Sequence, residues 1–381
     1  MCQVSEKDRA RLRALADRQM QIATSNGMRA LYCDWIKHGS FQKTARPMLT
    51  IEMWTFADDV IPALLQCSGK RAREIETMLL SNIIPYDYFK DDTPVPAYLN
   101  VPLKKHFVPL GLEVRKQDAN NSGSVGVGHH FDTYLHDLEE DWSKLGQSSY
   151  TIDLQGTMEE VDELNGLFGD LLPARRGGEA LCVDAAEDII HLIAMEDLYI
   201  AMYDAPDRLH EMMERLLVDY GKYLDRLEES KLILPTALDE HLPQGSYCFT
   251  DLLPSEGEGL KTNQVWGHMN AEELNDVSPT MYKEFIIDHY KHFTSRFGAL
   301  SFGCCEAVHK FWDGCIEELP NLRKVSISAW CDQRFMGERL KNRPIIFLRK
   351  PTANLLGVGC ELDEQAVRDH FRETAEAASG C

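Results

Sequence analysis

The sequence predicts a (β/α)8 barrel, the TIM-barrel class of α/β fold, with an N-terminal helical extension at residues 1–45 and the barrel at residues 46–381. The first observation behind this prediction is that short apolar runs alternate with amphipathic helical runs in the C-terminal half, as in βα units of a parallel sheet. The second is length, because 381 residues accommodate roughly eight such units in one closed barrel. Short links between the units favour right-handed crossovers.

Composition and charge narrow the class of protein. The net charge of −21 argues against a nucleic-acid partner, because phosphates are bound by basic surfaces. No run of about 18 apolar residues occurs, so we expect no membrane span, and Met1–Arg18 is too charged for a signal peptide. The eleven cysteines contain no Cys-x-x-Cys pair, which excludes a zinc ribbon and predicts reduced thiols in a cytoplasmic protein.

The elements before residue 131 are predicted mainly as helices. Apolar residues recur at helical spacing over Ser5–His38 and again over residues 56–80. Between them, Arg46–Trp54 is predicted as a strand with polar and aromatic groups at its end. Residues 85–130 are predicted as an insertion on the barrel rim, a hairpin followed by a loop that includes the glycine-rich stretch 120–128.

After residue 167 strands and helices alternate along the chain. The predicted strands are residues 171–175, 246–251, 299–304, 324–330 and 345–348. The predicted helices are residues 184–204, 206–230, 279–297, 307–319, 332–340 and 363–378. The last three strands, each followed by a helix, are the βα units that define the barrel prediction.

The most informative segment is Gly303-Cys304-Cys305-Glu306, where the strand at residues 299–304 gives way to the next predicted helix. Catalytic groups of barrel enzymes collect at such strand ends. Two thiolates and a carboxylate there can hold zinc and leave a coordination position open for substrate. In the competing structural interpretation, one cysteine is buried, the other is exposed, and Glu306 stabilises a helix N-terminus.

Other strand ends supply further candidates. Cys331 ends the neighbouring strand, about 4.8 Å away, and is a candidate fourth metal ligand, although a buried filler is an equal alternative. Asp251 and Glu306 are the candidate catalytic residues, and Asp251 could orient the substrate, exchange a proton or cap a helix. His268 and His309 are candidates for a base or a ligand, in competition with packing and surface roles. Aromatic residues that could wall a substrate pocket, or simply fill the core, are Trp54, Tyr247, Trp266 and Trp330.

Four segments resemble the uroporphyrinogen decarboxylase superfamily, in its branch with a Tyr-Gly-Cys-Cys-Glu type motif. The resemblance covers roughly residues 130–378, and its segments are Met202–Pro206, Val277–Phe285, Phe297–Glu306 and Pro320–Trp330. It implies a (β/α)8 barrel, in agreement with the alternation of elements, and it allows a homodimer.

The resemblance implies one of two chemistries. True decarboxylases of the superfamily bind tetrapyrrole carboxylates with an Arg-rich N-terminal motif, whereas the matching stretch Ile51–Asp59 has three acids and no Arg. The other branch comprises zinc-dependent methyltransferases that deliver methyl groups to a corrinoid on a separate protein. This chain lacks the Asp-x-His-x-x-Gly pattern of corrinoid-binding domains, as expected if the corrinoid protein is a partner.

The ligand set implied by the methyltransferase branch departs from the usual pattern. The Cys of the family's His-x-Cys pair falls on Cys304, but the His position is Phe302, so Cys305 or Glu306 would substitute. No later cysteine stands near Arg349–Pro351, and Cys360 is the next in the chain. We therefore expect zinc-assisted methyl transfer from a small methylated donor, with a methoxyaromatic preferred because aromatic residues crowd the predicted barrel mouth.

Two other functions remain open from the sequence. In the first, the protein is a carboxy-lyase of the decarboxylase type, whose candidate carboxylate-binding residues are Arg175, Arg176, Arg349 and Lys350. In the second, it is a non-catalytic module that binds a tetrapyrrole or a corrinoid.

Overall fold

A computed structural model of the protein describes residues 4–118, 129–356 and 361–381. The fold is mixed α/β, and the chain divides into two units, which are described separately. The first unit comprises Met1–His106, Thr151–Glu179 and Leu234–Glu256, and the second comprises Phe107–Tyr150, Ala180–Ile233 and Gly257–Cys381. The glycine-rich stretch 120–128 of the predicted rim insertion lies outside the described residues, as does Cys360.

The helices and strands are numbered in chain order. The α-helices are α1 (Glu6–Ala23), α2 (Asn26–Gly39), α3 (Met53–Leu64), α4 (Lys70–Ile84), α5 (Leu154–Phe168), α6 (Ala185–Leu192), α7 (Met195–Asp204), α8 (Pro206–Glu229), α9 (Pro279–Tyr282), α10 (Asp288–Thr294), α11 (Gln333–Leu340) and α12 (Glu364–Ala377). The strands are β1 (Leu99–Val101), β2 (Lys104–Val108), β3 (Lys116–Asp118), β4 (His129–Phe131), β5 (Ser149–Asp153), β6 (Ala174–Arg176), β7 (Leu181–Cys182), β8 (His241–Leu242), β9 (Ser246–Tyr247), β10 (Trp266–Met269), β11 (Ala299–Phe302), β12 (Leu322–Ile327) and β13 (Ile346–Arg349).

The first unit is built around helices. The predicted helical segment Ser5–His38 is confirmed, and it forms two helices, α1 and α2. The break lies at Ser25, whose hydroxyl accepts the backbone N–H of Met28 at 3.2 Å and so starts the second helix. Leu12, Leu79 and Leu164 are fully buried where α1, α4 and α5 contribute to one apolar core. Burial of such leucines stabilises the unit by roughly 1.5–3 kcal/mol for each side chain.

The predicted strand at Arg46–Trp54 is wrong. The backbone N–H of Leu49 donates to the Asp92 carboxylate at 2.8 Å, and that of Ile51 donates to Asp91 at 2.6 Å. Aspartate side chains therefore accept from backbone N–H groups that would otherwise donate to the carbonyls of a neighbouring strand. Helix α3 then begins at Met53. The sequence pattern was strand-like because side chains alternate along extended backbone, whether or not that backbone is paired in a sheet.

The predicted strands at residues 171–175 and 246–251 are only partly recovered. Strand β6 starts later and pairs in parallel with β1, as a barrel strand would. Strand β9 is two residues long and pairs antiparallel with β8. The Phe249 that follows it packs against Trp35, with ring centroids 5.6 Å apart, so this segment forms a hairpin over an aromatic cluster.

Glu240 in the first unit gives a testable pH dependence. Its carboxylate accepts the N–H of Leu238 at 2.8 Å, and burial, followed by the charge of Asp239, raises its pKa from 4.5 to about 7. A raised pKa stabilises the folded state fully below pH 4.5, and this contribution is lost as pH rises towards 7. We expect the free energy of unfolding to fall by roughly 3 kcal/mol between pH 5 and pH 8 through this group.

The measurement is urea unfolding at both pH values for wild type and for Glu240→Gln, which keeps an acceptor and removes the titration. The fall in the free energy of unfolding between pH 5 and pH 8 should be smaller in Glu240→Gln than in the wild type, by roughly 3 kcal/mol. The exposed Glu229→Gln serves as the matched control and should follow the wild type. An equal decrease in wild type and Glu240→Gln would show that Glu240 titrates normally.

The second unit contains a parallel sheet in the order β13-β12-β11-β10-β7. Its five strands stand in chain order and include the three predicted C-terminal strands as β11, β12 and β13, so the predicted parallel pairing of those three strands is confirmed. Every residue of β10 and β11 is buried, as in parallel strands covered on both faces. The described elements show a mixed α/β fold, and the closed eight-stranded barrel stays a prediction.

The predicted helix at residues 307–319 is wrong, whereas α11 and α12 confirm the other two C-terminal helices. Two short 3-10 turns, Val308–Phe311 and Ile316–Glu318, occupy this segment. Gly314 between them has a φ of 68°, a left-handed backbone that interrupts helical hydrogen bonding.

None of the helices in residues 4–118, 129–356 and 361–381 combines the length and apolar character needed to cross a membrane.

Candidate metal centre

The candidate site lies where β11 ends. Strand β11 is fully buried, and Gly303 directly after it has a φ of 96°, a conformation that glycine adopts without a steric penalty. Its N–H donates to the carbonyl of Met269 at 3.0 Å, extending the ladder to β10 by one residue. The reversed backbone at Gly303 then turns Cys304 and Cys305 out of the sheet, so that Cys304 is half-buried and Cys305 is exposed.

Glu306 fixes the shape of this turn. Its side chain is 1% exposed and accepts the N–H of Cys304 at 2.5 Å and the N–H of Ala271 at 3.2 Å. Burial raises the pKa of Glu306, and these backbone hydrogen bonds oppose that rise. Both carboxylate oxygens are thus engaged with the backbone, which gives Glu306 a structural position under the turn.

Two carbonyl groups of the turn accept hydrogen bonds from serines in and directly after the neighbouring strand β12. The Ser326 hydroxyl donates to the carbonyl of Cys304 at 2.8 Å, and the Ser328 hydroxyl donates to the carbonyl of Glu306 at 3.0 Å. Both serines are about as buried as the core of the sheet. Because donors and acceptors of the turn are bound on both sides, the two thiols are presented from a fixed backbone.

The group that could hold a metal ion consists of Glu272, Cys304 and Cys305. One ligand atom from each lies within 4.8 Å of the others. The two sulfurs are 3.6 Å apart, and the Glu272 carboxylate accepts the N–H of Cys305 at 2.9 Å. Glu272 lies on a 3-10 turn, Glu272–Leu274, shortly after β10, so ends of two adjacent parallel strands supply the three ligands.

These residues fit zinc. Zinc–sulfur bonds of about 2.3 Å in a tetrahedron place two sulfurs about 3.8 Å apart, close to the 3.6 Å between Cys304 and Cys305. A carboxylate oxygen is an accepted third ligand, and three protein ligands leave a fourth position for substrate, as in catalytic zinc sites. The donor set of two sulfurs and one oxygen disfavours Mg²⁺ and Ca²⁺, which prefer oxygen.

Lys350 lies against the thiols. Its Nζ is 4.0 Å from Sγ of Cys304, 3.8 Å from Sγ of Cys305 and 3.3 Å from the carbonyl oxygen of Cys304. The hydrogen bond between the thiols raises the pKa of Cys304 and lowers the pKa of Cys305, and the Lys350 charge lowers both. Cys305 therefore loses its proton first, and the Cys304 thiol donates to the thiolate.

The structure brings together only part of the predicted ligand set. Cys304 and Cys305 belong to the group, whereas Glu306 and Cys331 do not. Cys331 is 6% exposed, and burial raises its pKa to about 11, which favours the neutral thiol. Glu272 was missed by sequence reasoning. The available signal was the short segment Trp266–Met269, which is apolar apart from His268 and is followed after two residues by Glu272 and Glu273.

The predicted pocket residues are divided between the two units. In the second unit Trp266 is buried in β10, while Trp330 follows β12 and is 76% exposed. Trp54, Tyr247 and Asp251 belong to the first unit. Trp54 is 75% exposed on α3, Tyr247 is buried beside Trp35, and the Asp251 N–H donates to the Ser40 hydroxyl at 2.8 Å.

The two predicted histidines take different positions. His309 lies on the 3-10 turn after the thiols, and its Nδ1 accepts the N–H of Asp332 at 3.2 Å. His268 is in β10 with 2% exposure, and its Nδ1 has no hydrogen-bond partner among the described residues. His309 is thus engaged in holding a loop, and His268 is the histidine with an atom available to a ligand.

No protein-family model, no curated protein and no solved structure matches this chain significantly.

Proposed function

We propose that the protein is a zinc-dependent methyltransferase, which moves a methyl group from a small methylated donor, preferably a methoxyaromatic, to a corrinoid carried by a separate protein. The observation that carries the proposal is the convergence of one ligand atom each from Glu272, Cys304 and Cys305 to within 4.8 Å of one another at the ends of β10 and β11. The resemblance of Phe297–Glu306 to the corrinoid-linked branch supplies the reaction class. The five parallel strands in chain order support completion of the sheet as a (β/α)8 barrel.

The residues of the site have distinct roles in this proposal. Cys304, Cys305 and Glu272 would hold zinc, which supplies Lewis-acid stabilisation of the negative charge that develops on the donor's oxygen. Lys350 compensates part of the thiolate charge, because its ammonium lies within 4.0 Å of both sulfurs. Glu306 positions the turn through its backbone hydrogen bonds.

With a reduced corrinoid as the methyl acceptor, the bonds and electrons of the transfer balance. The methyl carbon–oxygen bond breaks, its electron pair stays on oxygen, and the alcohol or phenol leaves after taking up a proton. The methyl carbon bonds to Co(I) of the partner, which provides both electrons of the new bond. Cys305 is exposed and Glu272 is half-buried. The ligand group is therefore open on one side, where a protein-bound acceptor could approach.

The test is an anaerobic assay with protein purified without chelator, a methoxyaromatic donor and a corrinoid protein reduced to Co(I). We expect methylcobalamin to form, measured by its absorbance. Cys305→Ala should slow transfer at least about 100-fold, because several kcal/mol of charge stabilisation depend on the metal. Cys33→Ala, at an exposed cysteine of the first unit, is the control and should retain the wild-type rate.

A different result would identify the competing enzyme class. Release of carbon dioxide from a carboxylated substrate, at equal rates in wild type and Cys305→Ala, would overturn methyl transfer and support the lyase hypothesis.

A further inference from the structure

The two cysteines of the turn after β11 are adjacent in the chain, and their sulfur atoms lie 3.6 Å apart. A disulfide has a sulfur–sulfur bond of about 2.05 Å, so an approach of roughly 1.6 Å would join them. Cys304 is half-buried and Cys305 is exposed, so a small oxidant from solvent reaches Cys305 first. The pair is therefore placed for a reaction that uses both thiols, in addition to the proposed metal binding.

The peptide group between the two cysteines is held on both sides. Its carbonyl oxygen, on Cys304, accepts from the Ser326 hydroxyl at 2.8 Å and from Lys350 Nζ at 3.3 Å. Its N–H, on Cys305, donates to the Glu272 carboxylate at 2.9 Å. None of these bonds involves a sulfur atom. The sulfurs can therefore approach each other by rotation of their side chains without the loss of these hydrogen bonds.

A disulfide between neighbouring residues is easily reduced. The peptide bond between Cys304 and Cys305 is trans, which fixes their Cα atoms about 3.8 Å apart. Ordinary disulfides join Cα atoms roughly 4.4–6.8 Å apart, and departures from this range store strain and make the bond more reducible. Strained or exposed disulfides are the labile and regulatory ones. A disulfide at this turn would therefore form under oxidising conditions and open again in the presence of a dithiol.

We propose that Cys304 and Cys305 form a redox-sensitive pair, which a hydroperoxide such as hydrogen peroxide closes to a disulfide and which a dithiol reopens. Closure removes both sulfur ligands of the group that includes Glu272, because the thiolate is the form of cysteine that binds a metal ion. Oxidation would therefore release zinc and stop methyl transfer, and reduction would restore the site. The release of zinc rests on the proposed function, whereas closure of the disulfide rests on the geometry of the two thiols.

The atoms and electrons of the oxidation balance with one peroxide for each pair. The sulfur of Cys305 attacks one peroxide oxygen, the O–O bond breaks, and the other oxygen leaves as water with the thiol proton, so that Cys305 becomes a sulfenic acid. The thiol of Cys304 then attacks the Cys305 sulfur, the S–O bond breaks, and a second water leaves. Two electrons and two protons pass from the thiols to the peroxide. A dithiol returns them and is itself oxidised to a disulfide.

The test treats full-length protein, purified without oxygen or chelator, with a small molar excess of hydrogen peroxide and then alkylates the remaining thiols. Trypsin releases residues 297–310, a peptide whose only cysteines are Cys304 and Cys305. We expect mass spectrometry to show this peptide without alkyl groups and lighter by two hydrogen atoms than the unmodified reduced peptide. A dithiol added before alkylation should restore both alkyl groups.

Two variants accompany the wild type. Cys33→Ser, which removes an exposed cysteine of the first unit, is the matched control and should form the same disulfide. In Cys304→Ser the second thiol is missing, so the sulfenic acid of Cys305 should persist and react with dimedone, as it should not in the wild type.

Two results on the wild-type peptide would overturn the redox-sensitive pair. In the first, both cysteines remain alkylated after peroxide treatment. In the second, Cys305 carries a sulfinic or sulfonic acid beside an alkylated Cys304. These measurements need no variant, so they decide the proposal whether or not Cys304→Ser folds.

A chromophoric zinc chelator in the same reaction separates failure of this proposal from failure of the proposed function. We expect about one zinc released for each disulfide formed. A disulfide that forms while zinc stays bound would overturn the control of the metal by oxidation. A reversible disulfide in protein that holds no zinc and transfers no methyl group would uphold the pair and overturn the zinc-dependent methyltransferase. Methyl transfer at the untreated rate, with both thiols still alkylated, would overturn the pair and uphold the proposed function.

Discussion

Replacement of Cys304 by serine is expected to remove the metal ion. Protein purified without oxygen or chelator should contain about one zinc per chain, and Cys304→Ser should contain almost none. The reason is geometric, since Sγ of Cys304 lies 3.6 Å from Sγ of Cys305 and no other cysteine belongs to the group of converging ligand atoms in the described residues. Elemental analysis by mass spectrometry measures the stoichiometry.

A matched control separates metal loss from thiol loss in general. Cys33 is a free, exposed cysteine of the first unit, and Cys33→Ser should retain zinc at the wild-type level. Cys304→Ser should remain folded, because a hydroxyl can still donate towards Cys305 and the turn keeps its hydrogen bonds to Ser326 and Ser328. Zinc retained in Cys304→Ser, or zinc absent from the wild type, would contradict the ligand assignment.

The sequence predicted the part of this site that is local in the chain. The run Ala299–Phe302 is apolar apart from Ser301 and is followed by glycine, which indicates a buried strand that ends in a sharp turn. Helical periodicity likewise identified α8 and α12 with errors of one residue at most at either end. Elements specified by their own residues were therefore predictable.

The sequence did not predict contacts that depend on distant residues. Glu272 reaches Cys305 across 33 positions of chain, and nothing in its own surroundings distinguishes it from Glu273. Glu306 was predicted as a ligand because it is next to the thiols, yet burial directs its oxygens to two backbone N–H groups. At Arg46–Trp54, two aspartates more than 35 residues away decide the backbone pairing, which no local pattern reveals.

The choice between Glu272 and Glu306 as the oxygen ligand gives the second prediction. Glu272→Gln replaces a charged ligand by a neutral amide and should lower zinc affinity by at least about tenfold, the loss typical of weaker changes around metal sites. Competition with a chromophoric zinc chelator measures this affinity. The free energy of unfolding in urea should change little, because Glu272 is only half-buried and its one backbone contact is at the surface.

Glu306→Gln should show the opposite pattern. Its amide NH2 would face one of the two backbone N–H groups of Cys304 and Ala271, which leaves that buried donor unpaired and costs about 1–3 kcal/mol of folding free energy. Zinc affinity should fall less than in Glu272→Gln, since the three converging ligand atoms remain. If Glu306→Gln loses zinc at full stability while Glu272→Gln retains it, then the ligand set implied by chain proximity is correct and the one indicated by geometry is wrong. The two variants make the same change, glutamate to glutamine, at two different residues. Their opposite effects on zinc affinity and on folding stability therefore identify which carboxylate binds the metal and which accepts the backbone N–H groups.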